Sequence, residues 1–184
     1  MSLKHAILVL LETEPGSGYD LLKRFNERLG YFWNATHQQI YQELKKMHQA
    51  ELINLTLETQ DGKPNRKVYS VTASGREDLI QWISEPTKPN KVNDHLLVKL
   101  YAGAMVEPQL LLKELARYRK NQERMLHTFR AIEQEYQSLP NDEKQPYRLP
   151  YLTLRRGILD KEAWLQWADE VQTELQNLAE SEFH

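Results

Sequence analysis

The sequence predicts a mainly α fold with a small β-hairpin, and three observations carry that prediction. Apolar residues recur at helical spacing through most of the chain. One stretch, 52–71, changes to alternating and β-branched residues around a turn-rich centre. Pro86 to Asn90, with Pro86 and Pro89, then separates short helical segments from long ones. The chain is accordingly expected to divide into residues 1–85, a linker at 86–92, and a helical part at 93–184.

Each element has its own signal. From Leu3 to Glu12 the residues Leu3, Ala6, Ile7, Val9, Leu10 and Leu11 make a buried first helix, which Glu14-Pro15-Gly16 ends. Ser17 and Asp20 have the spacing of a capping box, and Tyr19, Leu22, Phe25 and Leu29 give a second amphipathic helix up to Gly30. Thr36 and Gln39 repeat the box before a third helix with Ile40, Leu44 and Met47 as its buried stripe. Leu52–Glu58 and Lys67–Val71 read as strands joined by Asp61-Gly62-Lys63-Pro64-Asn65, and Thr72-Ala73-Ser74-Gly75 opens a helix with Leu79, Ile80, Trp82 and Ile83. Beyond the linker comes Leu96–Met105, then a long helix after Pro108. Its Leu111, Leu115, Tyr118, Gln122, Met125, Phe129, Ile132, Tyr136 and Leu139 keep a four-three spacing, a sustained coiled-coil seam. Pro140–Pro150 interrupts it, and a last helix from about Tyr151 to Ala179 carries Trp164, Trp167, Val171, Leu175 and Leu178 on one side.

Composition bounds the function. A 184-residue chain with 40% hydrophobic content can build an ordinary core. The apolar start, Met1 to Leu11, is too short to span a bilayer and lacks a cleavage site, so a cytoplasmic protein without membrane association is expected. The absence of cysteine removes disulfides, thiolate zinc sites and Cys nucleophiles together. A net charge of −2 argues against bulk coating of nucleic acid, so any DNA contact must be local. Residues 1–92 hold 12 basic and 11 acidic side chains and residues 93–184 hold 12 and 15, an asymmetry of +1 against −3.

Three helices and a hairpin in that order are the parts of a winged helix-turn-helix DNA-binding domain, whose third helix enters the major groove. With Ile40 at the centre of the buried face and about 100° per residue, Gln38, Gln42, Lys45, Lys46 and Gln49 point outward. Gln pairs bidentately with adenine and Lys reaches guanine or phosphate, although a merely solvated helix face has the same residue mix. Lys63, Arg66 and Lys67 lie at the hairpin tip, opposed only by Asp61, where a wing meets phosphates. As a bare motif three basic residues in a turn are usually just a soluble loop, and their weight comes from the helix before them.

Two sets of residues carry a family resemblance. One runs from Ala35-Thr36-His37-Gln38-Gln39-Ile40-Tyr41 through Leu44-Lys45-Lys46-Met47 to Leu52-Ile53. The other is Arg66-Lys67-Val68-Tyr69-Ser70-Val71-Thr72-Ala73-Ser74-Gly75, and Gly18-Tyr19-Asp20-Leu21-Leu22 fits the same pattern. Over about residues 3–85 they resemble the PadR family of transcriptional regulators, and the later part resembles the longer virulence-activator-like members with dimerising C-terminal helices. The resemblance implies DNA contacts by Tyr41, Arg66 and Lys67, with Tyr41 equally able to pack as an edge-of-core aromatic. It permits a small aromatic effector between subunits. Two departures stand out: Gln42 where the family usually has Pro, and Glu51 where it has Gly, a residue far easier to place in a left-handed helix cap.

The expected function is a homodimer bound to double-stranded DNA at a pseudo-palindromic operator through Gln38, Tyr41, Gln42, Lys45, Lys46, Lys63, Arg66 and Lys67. Dimerisation is assigned to Leu111, Leu115, Tyr118, Met125, Phe129, Ile132, Tyr136, Trp164, Trp167, Val171 and Leu175. The alternative is a winged-helix dimer that docks other proteins without binding DNA. The six histidines, at 5, 37, 48, 95, 127 and 184, show no paired ligand spacing, and there is no P-loop, nucleophile-elbow or dinucleotide glycine motif. No enzyme activity, metal or cofactor is expected. His37 opens the third helix and reads as a surface histidine in preference to a DNA contact, and Trp82, Trp164 and Trp167 read as core, interface or the lining of an aromatic pocket.

Overall fold

The computed structural model describes residues 3–30, 32–60, 63–87 and 93–181, apart from the side chains of 60, 63, 64 and 181. It divides into two units, Met1–Pro89 and Asn90–His184. Residues 88–92 of the expected linker lie outside the described set.

The first unit runs α1 (Leu3–Thr13), β1 (Gly16–Ser17), α2 (Gly18–Arg28), α3 (His37–Gln49), β2 (Ile53–Gln60), β3 (Lys63–Val71) and α4 (Ala73–Ser84). Its core gathers Ile7, Leu8, Leu10 and Leu11 of α1 with Leu21, Phe25, Ile40, Leu44, Met47, Ile53 and Leu79, all nearly solvent-free. Burying a side chain of this size is worth about 1.5–3 kcal/mol, so the shared core, more than local propensity, holds these short helices. Both capping boxes form as expected, Ser17 with Asp20 and Thr36 with Gln39.

Several expectations are corrected here. Tyr19 is 70% exposed, and the buried face of α2 is Gly18, Leu21, Arg24 and Phe25. The stripe is rotated because Arg24 turns inward. Its guanidinium donates to the Glu14 carbonyl at 2.5 Å and the Pro15 carbonyl at 3.2 Å, satisfying the backbone of the turn after α1. Val9, Ile80 and Ile83, expected at apolar core positions, are exposed.

The strands make an antiparallel sheet in the order β1-β3-β2. The two-residue β1, paired Gly16 to Tyr69 and Ser17 to Val68, has no sequence pattern of its own, and the sequence predicts only a turn there. The hairpin is longer than expected, since Lys63, Pro64 and Asn65 belong to β3. Pro64 is tolerated there because β1 covers β3 only at 68 and 69, leaving that edge of residue 64 unpaired.

At the α1/α4 contact the His5 ring stacks on Trp82 at 4.5 Å, which places Trp82 in the fold's support. Asp78 receives Lys4 at 2.8 Å and His5 at 3.1 Å. Burial, followed by the Lys4 charge, lowers the His5 pKa despite Asp78.

The second unit contains α5 (His95–Tyr101), a 3-10 turn at Gly103–Met105, α6 (Pro108–Ser138), a second turn at Gln145–Tyr147, and α7 (Arg148–Ser181). The segment Leu96–Met105 is thus a helix and a turn in succession. α7 begins three residues earlier than expected, with Pro150 inside its first turn, where backbone N–H groups have no helical partner in any case. α6 and α7 run antiparallel: Arg119 meets Asp169, Arg130 meets Glu162, Arg155 meets Glu133, and Tyr136 stacks on Tyr151 at 4.2 Å. Glu133 is buried, and the side chains of Arg130, Arg155 and Tyr151 all converge on its carboxylate.

This pairing changes the expected dimerisation set. Leu111, Leu115, Phe129 and Leu175 are buried within the single chain, so they cannot be offered to a partner. Tyr118, Trp164, Trp167 and Val171 pack partly buried on Leu96, Leu115 and Ala168. Part of the four-three seam, Leu111, Leu115 and Phe129, is thus buried in the intrachain pairing of a 31-residue helix that is followed by a short break and a second long helix. Met125 and Tyr136 are half-buried, and Ile132 is exposed. Among the described residues no helix is long and apolar enough to cross a membrane, and no cluster of metal-ligating side chains occurs.

Candidate nucleic-acid interface

The site is built on α3, whose two ends are fixed by its own sequence. At the start, the Thr36 N–H donates to Gln39 Oε1 at 2.8 Å and the Gln39 N–H to Thr36 Oγ1 at 3.2 Å. At the end, the Leu52 N–H donates to the Met47 carbonyl at 3.0 Å and the Glu51 N–H to the His48 carbonyl at 3.1 Å. That is a Schellman motif, and it requires a left-handed residue, Glu51, at φ 57°. The following chain is held by Thr72, whose hydroxyl donates to the Glu51 carbonyl at 2.7 Å.

With Ile40, Leu44 and Met47 sealed in the core, Gln38, Gln42, Lys45 and Lys46 are all exposed on the opposite side. Lys46 is only loosely held, 3.9 Å from Glu43, and Lys45 makes no ion pair among the described residues. Tyr41 packs as an edge-of-core aromatic, one of its two expected roles. Its ring lies over Gly18, where an added Cβ would come within 2.7 Å, and against His37 at 4.4 Å, yet 40% of the residue remains exposed. Gly18 is therefore the seat of the Tyr41 ring, a function that sequence reading did not identify.

The wing residues do not behave alike. Lys67 is exposed and makes no ion pair among the described residues. The Lys63 side chain lies outside the described residues, as do Asp61 and Gly62. Arg66, expected on phosphate, is turned to the Asp20 carboxylate at the start of α2, with Glu58 3.9 Å away. Asp20 accepts from the Ser17 N–H at 2.8 Å and from its hydroxyl at 2.6 Å. Burial raises the Asp20 pKa, but these bonds and Arg66 outweigh it and bring it to about 2. The strand itself held the signal for this split, because adjacent side chains alternate between faces.

Comparison with known proteins matches the two units in order. The transcriptional regulator PadR-like family model covers residues 7–81, and the virulence activator alpha C-terminal model covers 92–176. A probable transcriptional regulator of Mycobacterium tuberculosis is 37% identical over 186 residues, 96% of this chain and 98% of that one. The Vibrio cholerae virulence activator AphA has a TM-score of 0.80 at 38% identity, covering 97% of this chain and 100% of that one. Bacillus subtilis PadR in complex with operator DNA gives 0.82 at 28% identity over 94% of this chain and 98% of that one. The same regulator in complex with p-coumaric acid gives 0.74 at 26% identity, with 95% of both chains covered. With 37% identity to a probable regulator over nearly the full length of both chains, and with the two family models matched in order, the chain belongs to the PadR-like family of transcriptional regulators.

Proposed function

We propose that the chain is a homodimeric regulator of a pseudo-palindromic operator, with 1–85 binding DNA and 93–184 holding the dimer. The observation that carries the reading is α3, a doubly capped helix whose buried stripe leaves Gln38, Tyr41, Gln42, Lys45 and Lys46 facing outward together. The operator complex of the B. subtilis relative supports DNA as the ligand. Gln38 and Gln42 are assigned to base edges, and Lys45 and Lys46 to the groove's rim and backbone, with the wing alongside.

Apolar residues left uncovered in the second unit support the dimer. Tyr101 is 97% and Met105 84% exposed, and Leu97, Val98, Leu110, Leu149 and Leu152 accompany them. So many bare apolar side chains call for association. They take the place of the buried seam residues as the proposed interface. The p-coumaric acid complex of the relative supports a small aromatic molecule as a further partner, acting through the separation of the two recognition helices.

Selection from random duplexes tests the reading. It should enrich an inverted repeat with half-sites about 34 Å, or a multiple, apart. On that operator Gln42→Ala should relax preference at one symmetric pair of positions, by about 1–3 kcal/mol. Lys46→Ala should weaken cognate and scrambled DNA alike. Equal loss on both DNAs for Gln42→Ala, or no loss on either, refutes the groove assignment and favours protein docking. Sedimentation should show a dimer at micromolar concentration that Tyr101→Glu with Met105→Glu dissociates.

A further inference from the structure

We propose that Arg66 is a positioning residue of the wing, braced on Asp20, and that Lys67 supplies the phosphate contact of this part of β3. The inference rests on the DNA-binding reading above.

The backbone register shows why a brace is needed at this point. β3 is flanked on both sides only at Val68 and Tyr69, where Ser17 and Gly16 pair with it. From Arg66 outward it is held by β2 alone, with an irregularity between Glu58 and Gln60. A two-stranded ribbon on its own is marginally stable in water. Arg66 is positioned at the first place past the three-stranded part where a side chain can tie the ribbon back. Its guanidinium reaches Asp20 of the α2 capping box, and its cross-strand neighbour Glu58 lies 3.9 Å away.

The anchor is itself hydrogen-bonded in place. Asp20 is held by the backbone and the hydroxyl of Ser17, which β1 itself pairs to Val68. Wing, α2 cap and third strand therefore close on one carboxylate. Two carboxylates face one guanidinium, so the cluster brings no uncompensated positive charge to DNA. Lys67 points to the other face of the strand and carries an unopposed charge among the described residues.

The test is the salt dependence of full-length protein on its selected operator. Arg66→Gln and Asp20→Asn should each weaken binding about tenfold, the factor one charge-assisted hydrogen bond supports. Both should leave the slope of log affinity against log salt unchanged, because no phosphate contact is lost. Lys67→Gln should lower that slope by about 0.9, one released counterion. The Asp20→Asn/Arg66→Gln double variant should be no weaker than either single one, and Arg66→Lys should restore part of the loss. The amide that Asp20→Asn introduces keeps an acceptor oxygen for the Ser17 N–H, so the α2 cap survives in that variant.

A slope lowered by about one ion in Arg66→Gln, with Asp20→Asn binding as well as or better than the parent, overturns the proposal. Arg66 would then be a phosphate ligand that Asp20 restrains. Failure of the parent protein to select any duplex is a separate result, seen before any variant is made, and it removes the DNA-binding reading itself.

Discussion

Glu51 occupies a backbone conformation that suits another residue, and Glu51→Gly should stabilise the protein. At φ 57° the Cβ of an L-residue crowds the neighbouring carbonyl, at a cost of about 1–2 kcal/mol. Glycine escapes that cost but loses more freedom on folding, about 0.5–1 kcal/mol. The difference leaves a net gain of about 0.5–1 kcal/mol. Removing a carboxylate from the C-terminal end of α3 adds a few tenths more, since that end of the helix dipole is negative. Nothing else is lost, because the contacts at this position are backbone ones: the Glu51 N–H to His48 and the Glu51 carbonyl to Thr72. For a chain of this size the gain corresponds to a rise in Tm of about 1–4 °C by circular dichroism. Glu51→Ala is the control, since it removes the charge but keeps the Cβ. If the alanine variant gains as much as the glycine variant, backbone strain at residue 51 is not the cause.

Three further outcomes follow from the same geometry. Gly75→Ala should destabilise by about 1–3 kcal/mol or more, because its Cβ would stand 2.1 Å from the Leu52 carbonyl oxygen, a backbone atom that cannot step aside. A urea midpoint equal to the parent's would show that α4 can shift at no cost. Gly18→Ala meets the Tyr41 ring first, a side chain that can rotate away, so the helical signal should persist while operator affinity falls severalfold. Unchanged affinity would remove Tyr41 from the interface. In acid, Asp20 is depressed from 3.8 to about 2, so its contribution is complete above pH 4 and is lost as pH falls from about 4 to 2. Allowing for solvent at a partly exposed pair, that contribution is about 1 kcal/mol. The urea-stability gap between parent and Asp20→Asn should close over that window, and a gap constant from pH 5 to 2 contradicts the assignment.

What the sequence made legible was whatever depends on local chemistry. Both capping boxes, the stripe Ile40, Leu44 and Met47, and the hairpin are each decided by a few neighbouring side chains. What it hid depends on distant partners. β1 is two residues long and exists only because Val68 and Tyr69 lie beside it. Arg24 is buried because the turn after α1 presents two carbonyls to it. Neither fact leaves a periodic trace around its own position.

The seam of α6 shows the same limit in a sharper form. A four-three stripe reports that a helix has an apolar partner, and it is silent on whether that partner is another molecule or the next helix of the same chain. Here α7 takes Leu115, with Ala168 opposite, while the charged pairs along the flanks fix the antiparallel register. The exposed apolar residues of the second unit then include one on the stripe, Ile132, and several off it, Tyr101, Met105 and Leu149 among them, which no periodicity argument selects. The wing follows the same logic, since Arg66 and Lys67 are neighbours in sequence and equal in charge. Alternation along the strand sends one to a carboxylate of the fold and leaves the other to solvent. A basic residue adjacent to a recognition helix is therefore a phosphate ligand only after the carboxylates within its reach have been counted.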